Sequence, residues 1–324
     1  MITTSSTYQE LKNISISDLL NVHERILPYI NRTPVMTSSY IDKLTDTSLF
    51  FKCENFQKVG AFKMRGATNA ALNLRDSQLK MGLATHSSGN HAQAVALSAQ
   101  MQGVPSYIVV PQNAPVIKRK ATEGYGAKIV QSGNRIQDRE QMLDKVIAET
   151  EATFIHPYND IHVIQGQSTV ALELMQEVDD LDCIVAPVGG GGLLSGTLLA
   201  AKCVGNHIKV YGAEPQQVDD AYRSLQKGTI QSNDHVNTIA DGLRTQLGSL
   251  TFAVIRKHVK GIITVTESQI LEAMRLIWER MKILVEPSAA VPLAVVLNNK
   301  GVFRKSRVGI LLSGGNVDLN ALPF

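Results

Sequence analysis

Cysteine is scarce in this chain: Cys53, Cys183 and Cys203 are the only three in 324 residues, odd in number and far apart. They make no disulfide framework. Each sits in an apolar stretch such as LFFKCE or DCIVAPV, so buried reduced thiols are expected. No run of Lys or Arg is long enough to follow a phosphate backbone, and the net charge is only +3 with both signs interspersed. A nucleic-acid partner is therefore not expected. No apolar stretch approaches the length of a membrane span, and the opening MITTSSTYQE lacks the basic and apolar regions of a secretory signal. A cytoplasmic protein with no membrane partner is the expectation. Low-complexity linkers and fixed-period repeats are also missing. What remains is an ordinary globular composition, 44% hydrophobic and 19% charged, enough to bury the core of one large domain or two intertwined ones.

From about residue 48 the chain alternates β-rich runs with longer helical ones. SLFFKCE, GLATHS, PSYIVVP, KIVQ, TFIHP, DCIVAPVGG, IKVYGAEP, GIITV and RVGILLSGG read as strands, and HAQAVALSAQMQ and SQILEAMRLIWERMK as helices. This is α/β layering around a mainly parallel sheet. Four strands run into polar or glycine-rich loops, ATHSSGNH, VAPVGGGGLLSG, GAEPQQ and LLSGGNVD. Ligands of open α/β sheets bind beyond the carboxyl ends of the strands, so these loops are candidates for one shared site.

Gly189, Gly190, Gly191 and Gly192, followed by Leu193, lie between an apolar strand and the helical pattern LLSGTLLAAK. Consecutive glycines let the backbone approach an anion, and the helix N-terminus behind them offers free N–H groups and positive dipole. A phosphate cradle is the reading, against a merely flexible loop. The spacing is neither G-x-G-x-x-G nor a Walker motif, which disfavours a dinucleotide or nucleoside triphosphate there.

Lys63, in VGAFKMRGATNA, is flanked by apolar Phe62 and Met64. Partial burial would favour the uncharged amine that forms a Schiff base, although taken alone the residue reads as a surface charge. In THSSGNHAQ, Ser87, Ser88, Gly89, Asn90 and His91 join a strand to a helix. Hydroxyls and amides at a helix start suit a carboxylate, and Asn90 could donate to a phenolic oxygen; N-capping alone needs just one such residue. Ser313, ending the last apolar strand, could pair with a ring nitrogen without adding charge, or simply mark a turn.

Taken together and in this order, FKMRGA, SSGNHAQ, PVGGGGLLSG and LSGGNVDL resemble the fold type II enzymes dependent on pyridoxal phosphate (PLP). The closest resemblance is to their serine racemase and threonine dehydratase branch, the eukaryotic racemases above all. NRTPVMTSS, FFKCENFQK, TIADGL and WERMKILVEPS extend the similarity over most of the chain. The resemblance implies a tryptophan synthase β-like α/β fold with two open, twisted, mainly parallel sheets flanked by helices. It implies a large domain from residues 1–81 and 153–324, with a small α/β domain, residues 82–152, that carries the SSGNH loop. It also implies PLP on Lys63, Phe62 near the ring, Asn90 at the ring oxygen, Gly189 to Leu193 at the phosphate and Ser313 at the pyridine nitrogen. A neutral serine partner moderates the electron sink.

In similar racemases Lys63, once displaced by substrate, faces one side of Cα, and the serine before Gly-Asn, here Ser88, faces the other. Inversion and loss of the β-hydroxyl are the two outcomes implied. Related threonine dehydratases often read SAGNH, so Ser88 favours racemisation, although some hydroxyaspartate dehydratases also read SSGNH. The resemblance places the substrate carboxylate at Ser87, Ser88, Asn90 and His91, and brings Arg139 to the substrate on domain closure; Arg139 reads equally as a solvated helix charge. Glu214, Asp220 and the Val218 carbonyl resemble an all-oxygen site for Mg²⁺ or Ca²⁺. Lys58, Gln93, Lys118, Tyr125 and Lys282 match positions that hold an activating ATP at a homodimer interface, with Tyr158 and Ala92 standing where that pattern has asparagine and glycine. The chain stops at Phe324, so the regulatory domain of biosynthetic threonine deaminases, and with it isoleucine feedback, is not expected.

Overall fold

A computed structural model describes residues 4–113, 116–205 and 207–322, with the side chains of residues 4–7 and 116–118 outside the description. Among the described residues ten strands form two sheets. The larger takes β1 (Val35–Met36), β2 (Ser48–Cys53), β10 (Arg307–Leu312), β7 (Cys183–Pro187), β8 (Lys209–Pro215) and β9 (Gly261–Val265), in that spatial order. All its pairings are parallel except β1 with β2. The smaller sheet is parallel throughout, in the order β5 (Lys128–Ser132), β4 (Ser106–Pro111), β3 (Leu83–His86), β6 (Thr153–Phe154). Every strand anticipated from the apolar runs is present. β1 escaped notice because two residues carry no period.

Cys183–Pro187 is buried at every position, as expected of a parallel strand covered on both faces. Helices cover the large sheet, chiefly Ile161–Glu177 and Gly192–Val204 on one face and Pro287–Asn298 on the other. Cys53 and Cys183 are buried, whereas Cys203, at the end of the Gly192–Val204 helix, is only partly so.

The helix that opens on Lys63 (Lys63–Leu72) lies against Ile161–Glu177. A Cβ on Gly66 would strike the Gln167 amide, and one on Gly166 would lie 2.7 Å from the Gly66 Cα. Only glycine lets the two backbones approach this closely. Arg65, two residues after Lys63, is fully buried between the same elements. It donates to both oxygens of Glu54 at 2.8 Å and to Glu173 at 2.7 and 2.8 Å. Lys52, also wholly buried, meets Glu173 at 2.8 Å, and His23 meets it at 2.9 Å. Burial opposes the charge on Arg65, but the two carboxylates outweigh it and hold its pKa above the ordinary range. This network ties the first turn of the lysine helix to β2 and to the Ile161–Glu177 helix.

Candidate active site

The carboxyl ends of β3, β7 and β10 deliver three of the four loops that sequence patterns singled out, and the end of β2 leads into the lysine turn. Phe62 N donates to Ser313 O at 3.1 Å, Gly315 N to Gly60 O at 2.9 Å, and Ala61 bridges Gly314, so the lysine turn and the LSGGN loop are one unit. Lys63 Nζ donates to Pro157 O at 2.7 Å and lies 5.1 Å from the Phe62 ring centroid. Burial lowers its pKa to about 8, against the pull of the Glu286 carboxylate in the opposite direction. An amine so poised is a ready nucleophile at neutral pH.

Glu286 was not anticipated. It is 4% exposed, precedes the Pro287–Asn298 helix, and donates its backbone N–H to Gly314 O at 3.1 Å. Its carboxylate accepts from Asn90 Nδ2 at 3.0 and 3.1 Å. Asn316 donates to Asn90 Oδ1 at 2.9 Å from the other side. The helix Asn90–Met101 thus begins inside the lysine site.

Ser87, Ser88 and Gly89 connect β3 to that helix. Ser87 Oγ accepts from Gly89 N at 3.3 Å. Ser88 is partly exposed, and no side-chain hydrogen bond from it occurs among the described residues. His91 is buried; its Nε2 meets Ile155 O at 2.9 Å, while Nδ1 is buried without a partner among the described residues. Burial and the nearby Lys63 charge push its pKa well down. His156, pushed to about 4 by burial, with His86 and Lys63 adding, accepts from Tyr158 N and Asn159 N through Nδ1. Burial and neighbouring positive charge thus disfavour the imidazolium form of both rings.

Gly191 N-caps the Gly192–Val204 helix with φ +87°. A Cβ on Gly190 would strike the Tyr158 ring, and one on Gly192 would come 3.1 Å from the Tyr158 Cβ. Thr251 Oγ1 donates to Gly190 O at 2.8 Å, fixing the loop. Leu193, next in the helix, is buried. The result is a bare backbone cradle at a helix start, which fits a phosphate. Ser313 is buried at the end of β10. A desolvated lysine, a glycine cradle, and hydroxyl and amide donors form a set that fits PLP.

Arg139, in the helix Ile136–Thr150, is half-buried and its Nε has no partner among the described residues. Burial lowers its pKa, and its charge depresses that of His86, so the two lie near each other. Glu214 lies in β8, with Val218 and Asp220 in the turn and helix start that follow. Glu214 accepts from Ala221 N and Tyr222 N at 2.9 Å; Asp220 accepts from Asn233 Nδ2 at 2.6 Å and Leu247 N at 3.2 Å. Burial, then the neighbouring Asp220, pushes Glu214 well up, while burial takes Asp220 to about 6. No group of three or more His, Cys, Asp or Glu side chains converges as a metal cage among the described residues. Lys58 sits in the short turn Lys58–Gly60, Gln93 is buried in the Asn90–Met101 helix, and Tyr125 follows the helix Val116–Gly124. Lys282 caps the helix Glu267–Met281 in a left-handed conformation. The Lys118 side chain lies outside the described residues.

A family model described as "Pyridoxal-phosphate dependent enzyme" matches residues 26–314. The chain belongs to that family. It is 49% identical over 307 residues to a β-hydroxyaspartate dehydratase of Paracoccus denitrificans, covering 95% of this chain and 98% of the relative. It is 47% identical over 318 residues to a serine racemase of Dictyostelium discoideum, covering 97% and 98%. The solved structure of maize serine racemase superposes with a TM-score of 0.93 at 46% identity, covering 94% of each chain. The chain is thus a fold type II PLP enzyme. No helix among its described residues is long and apolar enough to cross a membrane.

Proposed function

We propose that this enzyme interconverts L- and D-serine and also eliminates water from serine to give pyruvate and ammonia. The observation that carries the reading is Ser88, a hydroxyl with no side-chain partner among the described residues, two positions from Asn90 in a loop built onto the Lys63 site. Bound PLP supplies the electron sink that makes the substrate Cα proton removable. Lys63, poised near neutrality, takes or returns that proton on one face, and Ser88 serves the other. The Ser87 hydroxyl and the backbone N–H groups of Asn90 and His91 receive the substrate carboxylate at the helix start. The glycine cradle anchors the phosphate, and Ser313 takes the ring nitrogen. Where the β-hydroxyl leaves before a proton returns, elimination results.

Dehydration of 3-hydroxyaspartate is the second reading. Arg139 favours it, because a half-buried guanidinium beside His86, with an Nε unpartnered among the described residues, would donate to the second carboxylate. Assays with both enantiomers of serine, L-threonine and 3-hydroxyaspartate decide between the two. D-serine formed from L-serine supports the first; pyruvate alone from serine, with faster turnover of 3-hydroxyaspartate, supports the second.

On the same reading residues 82–152 act as a small domain that closes over the remainder and excludes water. Mg²⁺ or Ca²⁺ would relieve the repulsion between Glu214 and Asp220, with the Val218 carbonyl and water completing the shell. ATP would be held by Lys58, Gln93, Lys118, Tyr125 and Lys282 where two copies of the chain meet in a cytoplasmic homodimer.

A further inference from the structure

Asn316 connects three segments of the site with one amide group. Its Nδ2 donates to Val59 O at 2.7 Å and to Asn90 Oδ1 at 2.9 Å. Its Oδ1 lies 2.8 Å from where a Cβ on Gly60 would stand.

Val59 has φ 56° and ψ 12°. A β-branched residue keeps this left-handed conformation only where its surroundings enforce it. Val59 is four residues before Lys63, and the bond from Asn316 grips its carbonyl. Gly60, also at positive φ, completes the turn.

The orientation of the Asn90 amide follows from its neighbours. Amide oxygen and nitrogen have nearly the same shape, so hydrogen bonding decides which way the group points. The Val59 carbonyl can only accept, so the Asn316 atom facing it is the nitrogen. The Glu286 carboxylate likewise accepts from Asn90, so the atom facing it is also nitrogen. Asn90 Oδ1 is left facing Asn316 Nδ2. A chain of bonds anchored on an acceptor at each end therefore permits one orientation. In it Asn90 Nδ2 meets both Glu286 oxygens, and one hydrogen shared between them leaves the second for a ligand oxygen.

We propose that Asn316 is a positioning residue that locks the Asn90 amide with its nitrogen toward the cofactor's phenolic oxygen while holding the strained turn in front of Lys63. The assignment rests on the PLP reading of the site.

The test uses the PLP-loaded enzyme and reads its absorption spectrum without substrate. A donor to the phenolic oxygen favours the charge-separated form of the lysine-bound cofactor, which absorbs at long wavelength, over the neutral enol form at short wavelength. Asn316→Asp is nearly isosteric but brings acceptors to Val59 O and Asn90 Oδ1. It should move intensity from the long-wavelength to the short-wavelength band, as should Asn90→Ala. Asn316→Ala should do the same and also lower the unfolding temperature. Adding Val59→Gly to Asn316→Ala removes the β-branched strain. That double variant should recover unfolding temperature yet keep the altered spectrum. Wild-type band ratios in both Asn316 variants would overturn the proposal. So would a spectrum restored by Val59→Gly, because Asn316 would then act only through the turn. Wild-type protein that stays colourless with PLP would instead remove the cofactor reading on which the assignment stands.

Discussion

The Glu286 carboxylate accepts from Asn90 Nδ2 through both oxygens, at 3.0 and 3.1 Å, across 196 positions of sequence. The same carboxylate is the opposite charge that acts on Lys63. One buried acid thus orients an amide and holds up the pKa of an amine that burial would otherwise push lower. Glu286→Gln should lower the pH at which Lys63 of the apoprotein becomes reactive and weaken PLP binding. A pH series of cofactor attachment rates, compared with wild type, measures the shift; an unmoved midpoint contradicts the assigned role.

Wild-type attachment should itself follow the lysine. With its pKa lowered to about 8 from the ordinary 10.5, the rate at which apoprotein bonds PLP should rise through pH 8 and level above it. The unfolded chain holds that proton up to about 10.5, so between these values the unfolded state binds more protons than the folded one. Lys63 therefore makes the apoprotein more stable as pH rises across that window, with no further gain beyond it. Denaturant midpoints of wild type and Lys63→Met across the window check the sign, and equal slopes would refute it.

Removing the Arg65 fork should be severe. Arg65→Met leaves Glu54 and Glu173 buried without their main partner, an effect of roughly 3–5 kcal/mol for a broken buried pair. Arg65→Lys keeps the charge but loses the two-sided bidentate geometry, so its loss should fall between Arg65→Met and wild type. Urea titrations rank the three proteins.

Gly190→Ala tests the phosphate cradle. The added Cβ meets the Tyr158 ring, so either the ring or the loop must move, and the loop's N–H groups lose their alignment. PLP affinity should fall by about tenfold or more, ~1.4 kcal/mol, read as a shift in the saturation curve of the visible absorbance. Unchanged affinity would mean that the loop does not hold the phosphate.

Much of this site was legible from local pattern. Strand ends announced the loops, consecutive glycines between a strand and a helix announced the cradle, and the apolar neighbours of Lys63 were consistent with a desolvated amine. Glu286 was not legible in that way, because a glutamate before Pro287 reads as an ordinary helix start. It enters the site only through the pairing of its backbone with Gly314, where the absent Cβ leaves room for its carboxylate. Arg65 reads as a surface charge until two separate segments supply its carboxylates. His156 and Tyr158 lie in an irregular loop with no period to mark them, and Asn316 acts through residues more than 200 positions away. Long-range register, which no local window contains, decides all of these.

Chiral analysis of the products that wild type and Ser88→Ala form from L-serine tests the central claim most directly. If Lys63 and Ser88 serve opposite faces of Cα, wild type yields both D-serine and pyruvate, while Ser88→Ala stops making D-serine and still releases pyruvate. D-serine formed by Ser88→Ala at the wild-type rate, or none formed by wild type, would contradict the account.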